Sequence, residues 1–320
     1  MELFVTGATG VLGREVIPHL VGAGHRVRGL ARSERNAALL RRLAVEPARA
    51  DLFDAASLHE AVAGCDAILH LATKIPPSNQ VTKLAAWREN DRIRRAGTRA
   101  VVEAALAAHV ATVLYPSVTL VYPDSGDAWI EATTTPPAPL PHLASTLEAE
   151  ATVARFAESG GRGVTLRMGA FYGPDASSSQ EMLRLARRGI ALLPGPARAF
   201  MASIWVDDAA RALVAALDRA PSGVYDVTDD EPLRRGEYVQ ALASAVGRRR
   251  LLRPPLALLR LSGGGHLAAM LARSQRVTNR RLKEATGWAP RVPNARDGLA
   301  RLAAQAETGG QTHEIAPAGS

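Results

Sequence analysis

The stretch Gly7-Ala8-Thr9-Gly10-Val11-Leu12-Gly13 decides which fold this sequence predicts. It follows a short apolar run over residues 2–6 and leads into an amphipathic segment that ends near Val21. A strand, a turn with glycines at GxxGxxG spacing and a helix form the order that a dinucleotide-binding βα unit requires. Gly7 permits an unusual φ, and Gly10 lacks a Cβ, so that a pyrophosphate can approach the backbone closely. Gly13 allows the helix to pack closely on the strand. We therefore expect phosphates to contact the N–H groups at the helix N-terminus.

Composition places the chain among ordinary globular proteins. Its 320 residues are 47% hydrophobic and 22% charged, which is enough to build one large core or a core with a smaller lobe. No apolar run is long enough for a bilayer and no signal peptide precedes the first strand, so we expect a cytoplasmic protein without membrane contact. Cys65 is the only cysteine, which excludes an internal disulfide framework and a cysteine metal cluster. We expect no metal site.

The net charge of +8 is compatible with nucleic acid as a binding partner. Its excess arginines are scattered over predicted helices, and aromatic residues make up only 4% of the chain. A basic arm interleaved with aromatics is absent from the sequence. We therefore expect a small-molecule substrate and no nucleic acid, while the positive field favours an anionic cofactor or substrate.

Strands and helices alternate through the first half of the chain. The strand candidates are Glu2–Thr6, Arg26–Ala31, Val45–Ala50, Ala67–Leu71 and Ala111–Ser117, with helices predicted near 11–23, 34–43, 55–63 and 81–108. The strands are short apolar runs, as expected when helices cover both faces of a sheet. This alternation predicts an α/β protein with a Rossmann-type, doubly wound parallel sheet.

The pattern loosens in the second half. A proline-rich loop over 122–141 leads to a helix near 143–158 and a strand at Val164–Met168, and prolines and glycines interrupt the rest. We predict a dinucleotide-binding core over 1–168 and a smaller C-terminal substrate lobe over 169–308, with segments that return to the core. Residues 309–320 are polar, and we expect a disordered tail there.

Four further strings agree with the glycine loop. They are Asp51-Leu52-Phe53-Asp54, Leu69-His70-Leu71-Ala72-Thr73, Leu166-Arg167-Met168-Gly169-Ala170-Phe171-Tyr172-Gly173-Pro174 and Trp205-Val206-Asp207-Asp208-Ala209-Ala210. Together and in this order they resemble the extended short-chain dehydrogenase/reductase family, also called the NAD-dependent epimerase/dehydratase family. The resemblance extends to about residue 305. It implies a Rossmann fold that binds a nicotinamide dinucleotide, with Asp51 and Leu52 at the adenine and Ala72 at the ribose. The cofactor residues that it implies are Gly7, Thr9, Gly10, Val11, Leu12, Gly13, Asp51, Leu52, Leu71, Ala72, Thr73 and Thr146.

The end of the second predicted strand bears on the choice between NADP(H) and NAD(H). Proteins that bind NAD place an acid there to hold the ribose hydroxyls. This chain has Ala31, Arg32 and Ser33 instead. No carboxylate would repel a 2′-phosphate, and Arg32 is available to pair with it. We therefore expect NADP(H) to be favoured, with Arg32 and Ser33 at the phosphate.

The chain departs from the family at the catalytic residues. The family uses a tyrosine and a lysine in a YxxxK pair, and a serine or threonine near the end of the fifth strand. Aligned through Ser145 and Glu150, this sequence has His142 for the tyrosine and Thr146 for the lysine. Val118 holds the serine position. Arg94 stands where the family has an asparagine, three residues before a Gly-Thr pair.

Candidate catalytic residues remain near these positions: His142, Ser117, Thr119 and Tyr122. Imidazole titrates near pH 6.5 and needs no lysine to depress its pKa, so His142 could move a proton directly. Ser117 and Thr119 flank the altered serine position, and Tyr122 is a substitute acid. Threonine cannot supply the charge of a lysine.

Three functions stay open on the sequence. One is an NADP-dependent oxidoreductase of a small organic molecule, with protons supplied by His142, Ser117 or water. Another is a non-redox cyclase, isomerase or dehydratase with His142 as acid or base. The third is a non-catalytic NADP-binding sensor. The sequence does not define the oligomeric state, although homodimers through the helices near 81–108 and 143–158 are common in the family that this chain resembles.

Overall fold

The strands of the chain fall into one large sheet and several short pairs. A computed structural model describes residues 1–77, 80–261 and 263–311. In chain order the strands are β1 (Glu2–Thr6), β2 (Arg26–Leu30), β3 (Glu46–Ala48), β4 (Ala67–His70), β5 (Thr112–Val118), β6 (Trp129–Ile130), β7 (Arg162–Met168), β8 (Ala170–Tyr172), β9 (Phe200–Met201), β10 (Ser203–Trp205), β11 (Gly223–Val227), β12 (Leu233–Arg234) and β13 (Arg276–Val277).

Helices connect most of these strands. They are α1 (Val11–Gly22), α2 (Glu34–Arg42), α3 (Ala55–Val62), α4 (Arg88–Arg92), α5 (Thr98–Ala107), α6 (Ala144–Glu158), α7 (Ser177–Arg187), α8 (Val206–Arg219), α9 (Arg235–Ala245), α10 (Leu256–Leu261), α11 (Gly265–Ala272), α12 (Arg280–Thr286) and α13 (Ala295–Gln311). Among the described residues, no helix combines the length and hydrophobicity that a membrane crossing requires.

The large sheet confirms the predicted fold class. Its seven strands lie in the order β11-β7-β5-β4-β1-β2-β3, and each neighbouring pair is parallel. The chain winds outward from β1 in one direction as far as β3 and then in the other direction from β4. The order therefore reverses between β1 and β4, and ligands of doubly wound sheets bind at the carboxyl ends of the strands at that point.

Two apolar cores cover the faces of this sheet. One contains Val16 and Ile17 of α1 packed with Leu213 of α8, and the other contains Val101 of α5 packed with Phe156 of α6. Strand β4 between them is buried along its whole length. Burial on both sides explains why the strands read as continuous apolar runs rather than alternating ones.

The second half of the chain has a core of its own. Leu183 of α7, Leu242 of α9 and Leu299 of α13 belong to this core, while β11 returns to pair with β7 in the large sheet. The predicted boundary at 168/169 stays a prediction.

The tail predicted over 309–320 begins inside α13, which continues to Gln311. Extending a helix is favourable because each added residue adds to an existing ladder of hydrogen bonds. Residues 312–320 lie outside the described part of the chain.

The helix predicted over 81–108 is built from several segments. A 3₁₀ turn at Leu84–Trp87 leads into α4, and a π turn at Ile93–Gly97 separates α4 from α5. A π turn inserts an extra residue into the helical spacing, and such turns are frequent at functional sites. Here the inserted turn contains Arg94, whose side chain is buried.

Candidate active site

The glycine loop forms a cradle without room for side chains. Gly7 has φ of 69°, and a Cβ on it would lie 2.6 Å from the backbone nitrogen of Ala72. A Cβ on Gly13 would lie 2.4 Å from the carbonyl oxygen of Gly7. Gly10 caps α1 without any side-chain hydrogen bond, and the first turn contains no acidic residue. The first N–H groups of α1 therefore lack intrahelical partners and face an open turn, which fits a pyrophosphate.

The end of β4 is fastened to the same loop. The backbone nitrogen of Leu71 donates to the Thr6 carbonyl oxygen (3.1 Å), and that of Ala72 donates to Thr6 Oγ1 (3.3 Å). His70 lies behind them, with Nδ1 2.7 Å from Thr6 Oγ1, and burial lowers its pKa to about 4. Neutral His70 is therefore a structural bridge. Ala72 and the exposed Thr73 follow at the edge of the cradle.

The predicted adenine residues lie at the end of the loop after β3. Asp51 is exposed, and its Oδ1 accepts a hydrogen bond from the backbone nitrogen of Phe53 at 2.9 Å. Leu52 is buried against Gly97, where an added Cβ would lie 3.3 Å from the leucine Cγ. Asp51 is thus held in a fixed orientation toward solvent while Leu52 packs inward.

Arg32 lies exposed just beyond the carboxyl end of β2, beside β1 and its glycine loop. Ser33 Oγ accepts a hydrogen bond from the Asn36 backbone nitrogen (3.2 Å) and caps α2. The next acid, Glu34, is paired with two arginines, which lie 2.8 and 3.1 Å from its oxygens. These two cations hold the pKa of Glu34 below its usual value, so its charge is compensated locally.

Arg94 and Thr146 meet inside the protein. Arg94 Nη1 donates to Thr146 Oγ1 at 2.6 Å, and the two side chains are 5% and 0% exposed. Arg94 Nε makes no hydrogen bond within the described part of the chain. In the sequence, Arg94 stands out only as the residue at the position where the family has an asparagine. The available signal was that a cation appears at 94 where one is lost at 146.

Ser117 and Tyr122 belong to a buried polar network. Ser117 Oγ donates to Glu150, which also accepts two hydrogen bonds from Arg167 at 2.7 and 3.1 Å. Tyr122 donates to Asp226 at 2.8 Å, and burial raises the pKa of this phenol far above its usual value. Both hydroxyl groups therefore already donate to buried carboxylates of the protein. Thr119 is buried in the 3₁₀ turn that follows β5.

His142 lies in a 3₁₀ turn directly before α6, half-buried, and faces a second histidine. Its ring centroid is 5.0 Å from that of His266 on α11, with the rings at 73°. Burial lowers the pKa of His142, and the charge of His266 lowers it further. Nε2 of His266 is buried without a hydrogen-bond partner in the described chain. The pair joins the 3₁₀ turn before α6 to α11, and the sequence analysis did not identify His266.

A cavity of about 540 Å³ is lined in part by α11, the helix that contains His266. Phe171 and Tyr172, which follow β7, form part of its wall, and Leu267 of α11 forms another part. The cavity therefore adjoins both the carboxyl edge of the sheet and the helix that carries His266. Among the described residues, no group of three or more potential metal ligands is arranged to hold an ion.

Comparison with known proteins agrees with this architecture. The model of the NAD-dependent epimerase/dehydratase family matches residues 3–228. A curated relative, the 3-diazoavenalumate denitrifying reductase of a Streptomyces species, is 30% identical over 94% of this chain and 100% of its own.

Solved structures share the fold at lower identity. Human epimerase family protein SDR39U1 with NADPH has a TM-score of 0.75 at 22% identity, covering 95% of this chain and 99% of that one. A double mutant of DesIV, the dTDP-glucose 4,6-dehydratase of Streptomyces venezuelae, with NAD bound, has a TM-score of 0.77 at 20% identity, covering 96% and 97%. The glycine cradle, the switch point between β1 and β4 and the extent of the family match lead to one conclusion: the chain belongs to the NAD-dependent epimerase/dehydratase family of NAD(P)-binding enzymes.

Proposed function

We propose that this protein is an NADP(H)-dependent reductase of a small organic molecule, and that its proton-transfer residues differ from the usual tyrosine and lysine. The observation that carries the proposal is the glycine cradle at the uncapped start of α1, with Arg32 and no free carboxylate at the end of β2. The named activity of the Streptomyces relative, a reductase, supports the redox assignment.

The residues present can hold the cofactor along one path. Gly7, Gly10 and Gly13 bring the backbone N–H groups of α1 to the pyrophosphate, while Arg32 pairs with the 2′-phosphate. Asp51 accepts from the adenine amine, and Ala72 lies against a ribose. When bound, NADPH supplies the hydride of the reaction.

Arg94 takes over the electrostatic role of the lysine. It comes from the π turn instead of from α6, but its guanidinium reaches Thr146, at the position where the family has that lysine. A guanidinium stays protonated and donates in fixed directions. We propose that it provides the positive charge beneath the nicotinamide half of the site.

His142 is the proposed proton donor to the reduced substrate. It is half-buried, and burial followed by the charge of His266 lowers its pKa although the charge of Asp91 acts in the opposite direction. A lowered pKa makes the imidazolium a stronger acid but leaves less of it protonated at neutral pH. Reduction that depends on His142 must therefore slow as pH rises.

The same lowered pKa favours a second candidate function. At neutral pH the imidazole of His142 is mostly unprotonated, which suits a general base. A non-redox isomerase or dehydratase on this fold would use His142 in that form. It would show turnover without net change in NADPH absorbance.

The cofactor assignment can be tested by titrating the full chain with NADPH and NADH. We expect tighter binding of NADPH, and we expect Arg32→Ala to weaken it by about 10- to 150-fold, since one hydrogen bond to a charged group is worth about 1.5–3 kcal/mol. NADH binding should stay unchanged. Arg42→Ala, which removes an exposed arginine at the far end of α2, is the matched control. Equal affinity for the two cofactors would refute the role of Arg32.

A further inference from the structure

We infer that the lobe cavity binds an uncharged, largely hydrocarbon substrate and excludes nucleotide sugars. This inference rests on the proposed function, since it names the substrate class of that reductase. The cavity of about 540 Å³ falls within the range of about 300–1,000 Å³ that is typical of small-molecule sites.

The wall of the cavity is apolar. Its side chains come from α7, the loop at Leu192–Pro194, α10 and α11, and they include Met182, Leu185, Leu258, Leu267 and Leu271. Burying hydrocarbon against such a wall is favourable in proportion to the area removed from water.

Three of the polar side chains in the wall already contact other groups of the protein. Tyr172 donates its hydroxyl to Asp229 at 3.1 Å, and Ser179 Oγ accepts from the Gly173 backbone nitrogen at 3.1 Å. The hydroxyl of Tyr238 contacts the sulfur of Met182 at 4.0 Å. These groups offer little to a ligand with many hydroxyls, because each buried hydroxyl without a partner carries a desolvation cost.

Charge in the wall works against a diphosphate. Among the described residues that line the cavity, none is an arginine or lysine, and Glu181 is the one acid. A nucleotide sugar would bring a diphosphate next to this carboxylate, where the neighbouring cation, Arg184 at 3.9 Å, already pairs with Glu181. Charge of that kind is not buried unless it is paired.

The position of the cavity connects it to the proposed chemistry. Leu267 and Leu271 line it from α11, and the residue before Leu267 is His266, whose ring contacts that of His142. Phe171 lines it from the segment that follows β7, at the carboxyl edge of the sheet. Neither histidine lines the cavity, so the reactive end of a substrate whose apolar body lies in the cavity would extend beyond it toward the histidine pair.

Calorimetric titration with straight-chain methyl ketones, 2-hexanone to 2-decanone, tests this inference on the full chain loaded with NADP⁺, which cannot reduce the ketone. Each added methylene should tighten binding about fourfold, which corresponds to about 0.8 kcal/mol. UDP-glucose should not bind in competition with 2-decanone. A series without length dependence, or displacement of the ketone by UDP-glucose, would overturn the inference.

Two variants and a control locate the binding. Leu185→Trp fills the cavity and should abolish the dependence on chain length, whereas Leu106→Trp, at an exposed leucine of α5, should preserve it. Leu258 is 56% exposed, so Leu258→Lys is tolerated by the fold and should weaken 2-decanone at least tenfold. An unchanged series in both cavity variants would contradict the assignment.

The NADPH titration of the same preparations is read separately. Loss of NADPH binding would remove the proposed function, whereas a flat ketone series with intact NADPH binding would remove only the substrate class. The two failures are therefore distinguishable.

Discussion

Replacing Arg94 with methionine tests whether a cation has moved between helices in this active site. Arg94→Met keeps a side chain of similar length and removes the charge and the hydrogen bond to Thr146. If Arg94 serves the cofactor, NADPH affinity should fall about 10- to 150-fold, because a hydrogen bond to a charged group is worth about 1.5–3 kcal/mol.

Thermal stability should respond differently from affinity. Arg94 is 5% exposed and its Nε has no partner in the described chain, so its burial carries a desolvation cost that methionine relieves. Exchanging a buried ionic group for an apolar one of similar volume is often neutral or stabilising. We therefore expect a calorimetric Tm equal to or above that of the parent, while fluorescence titration shows weakened NADPH binding.

The control and the rescue sharpen this experiment. Arg95→Met removes the neighbouring arginine, which is 44% exposed and pairs with Glu148 at 2.9 Å, and it should leave affinity unchanged. The double variant Arg94→Asn/Thr146→Lys returns the cation to α6 and should recover affinity to within a few-fold of the parent. Unchanged NADPH binding in Arg94→Met, or a fall in Tm without a fall in affinity, would refute the reasoning.

Three further predictions concern proton transfer, the glycine cradle and the start of α1. Turnover should fall as pH rises through the lowered pKa of His142. His142→Gln should reduce turnover about 10²- to 10⁴-fold and leave a flat pH profile. His266→Gln removes the charge that helps to lower this pKa, so it should move the inflection of the pH–turnover profile to higher pH. A fully active His142→Gln enzyme would exclude that residue. Gly13→Ala places a Cβ 2.4 Å from the Gly7 carbonyl oxygen and should abolish NADPH binding in an equilibrium titration, which retained binding would contradict. Burial, followed by Asp175 and Asp207, raises the pKa of Glu15 to about 7, so its favourable contribution to stability is complete below about pH 4.5 and is lost as pH rises toward 7. The free energy of unfolding of Glu15→Gln minus that of the parent should therefore be about 1 kcal/mol larger at pH 8 than at pH 4, after allowance for solvent screening. Denaturant melts of both proteins at the two pH values measure this difference. An equal difference at pH 4 and pH 8 would contradict the prediction.

The sheet domain could be predicted from the sequence because its signals are local. Gly7, Gly10 and Gly13 require their neighbours only within one turn, and the strands are continuous apolar runs, so β1 is predicted to the residue. The broken helix between Leu84 and Ala107 was beyond such reasoning. The π turn interrupts the regular helical spacing at a single place, so the periodicity of the sequence does not reveal it.

The candidate site was predictable only in part, for the same physical reason. Cofactor contacts lie on loops that directly follow strands, and the sequence indicates those loops. The contacts of Arg94 with Thr146 and of His142 with His266 join residues that are 52 and 124 positions apart. Nor could the residue types of Ser117 and Tyr122 reveal that their hydroxyls donate to buried carboxylates.

The hydrogen bond between Arg94 and Thr146 also constrains how such a site can arise by mutation. A chain with a lysine at position 146 and an arginine at 94 would bury two cations side by side, and a chain with neither would lose the charge altogether. Each single step from one arrangement to the other is therefore unfavourable, and the two positions are expected to covary. If Arg94 supplies the charge as proposed, a sequence pattern that requires the lysine at its usual position would overlook enzymes of this kind.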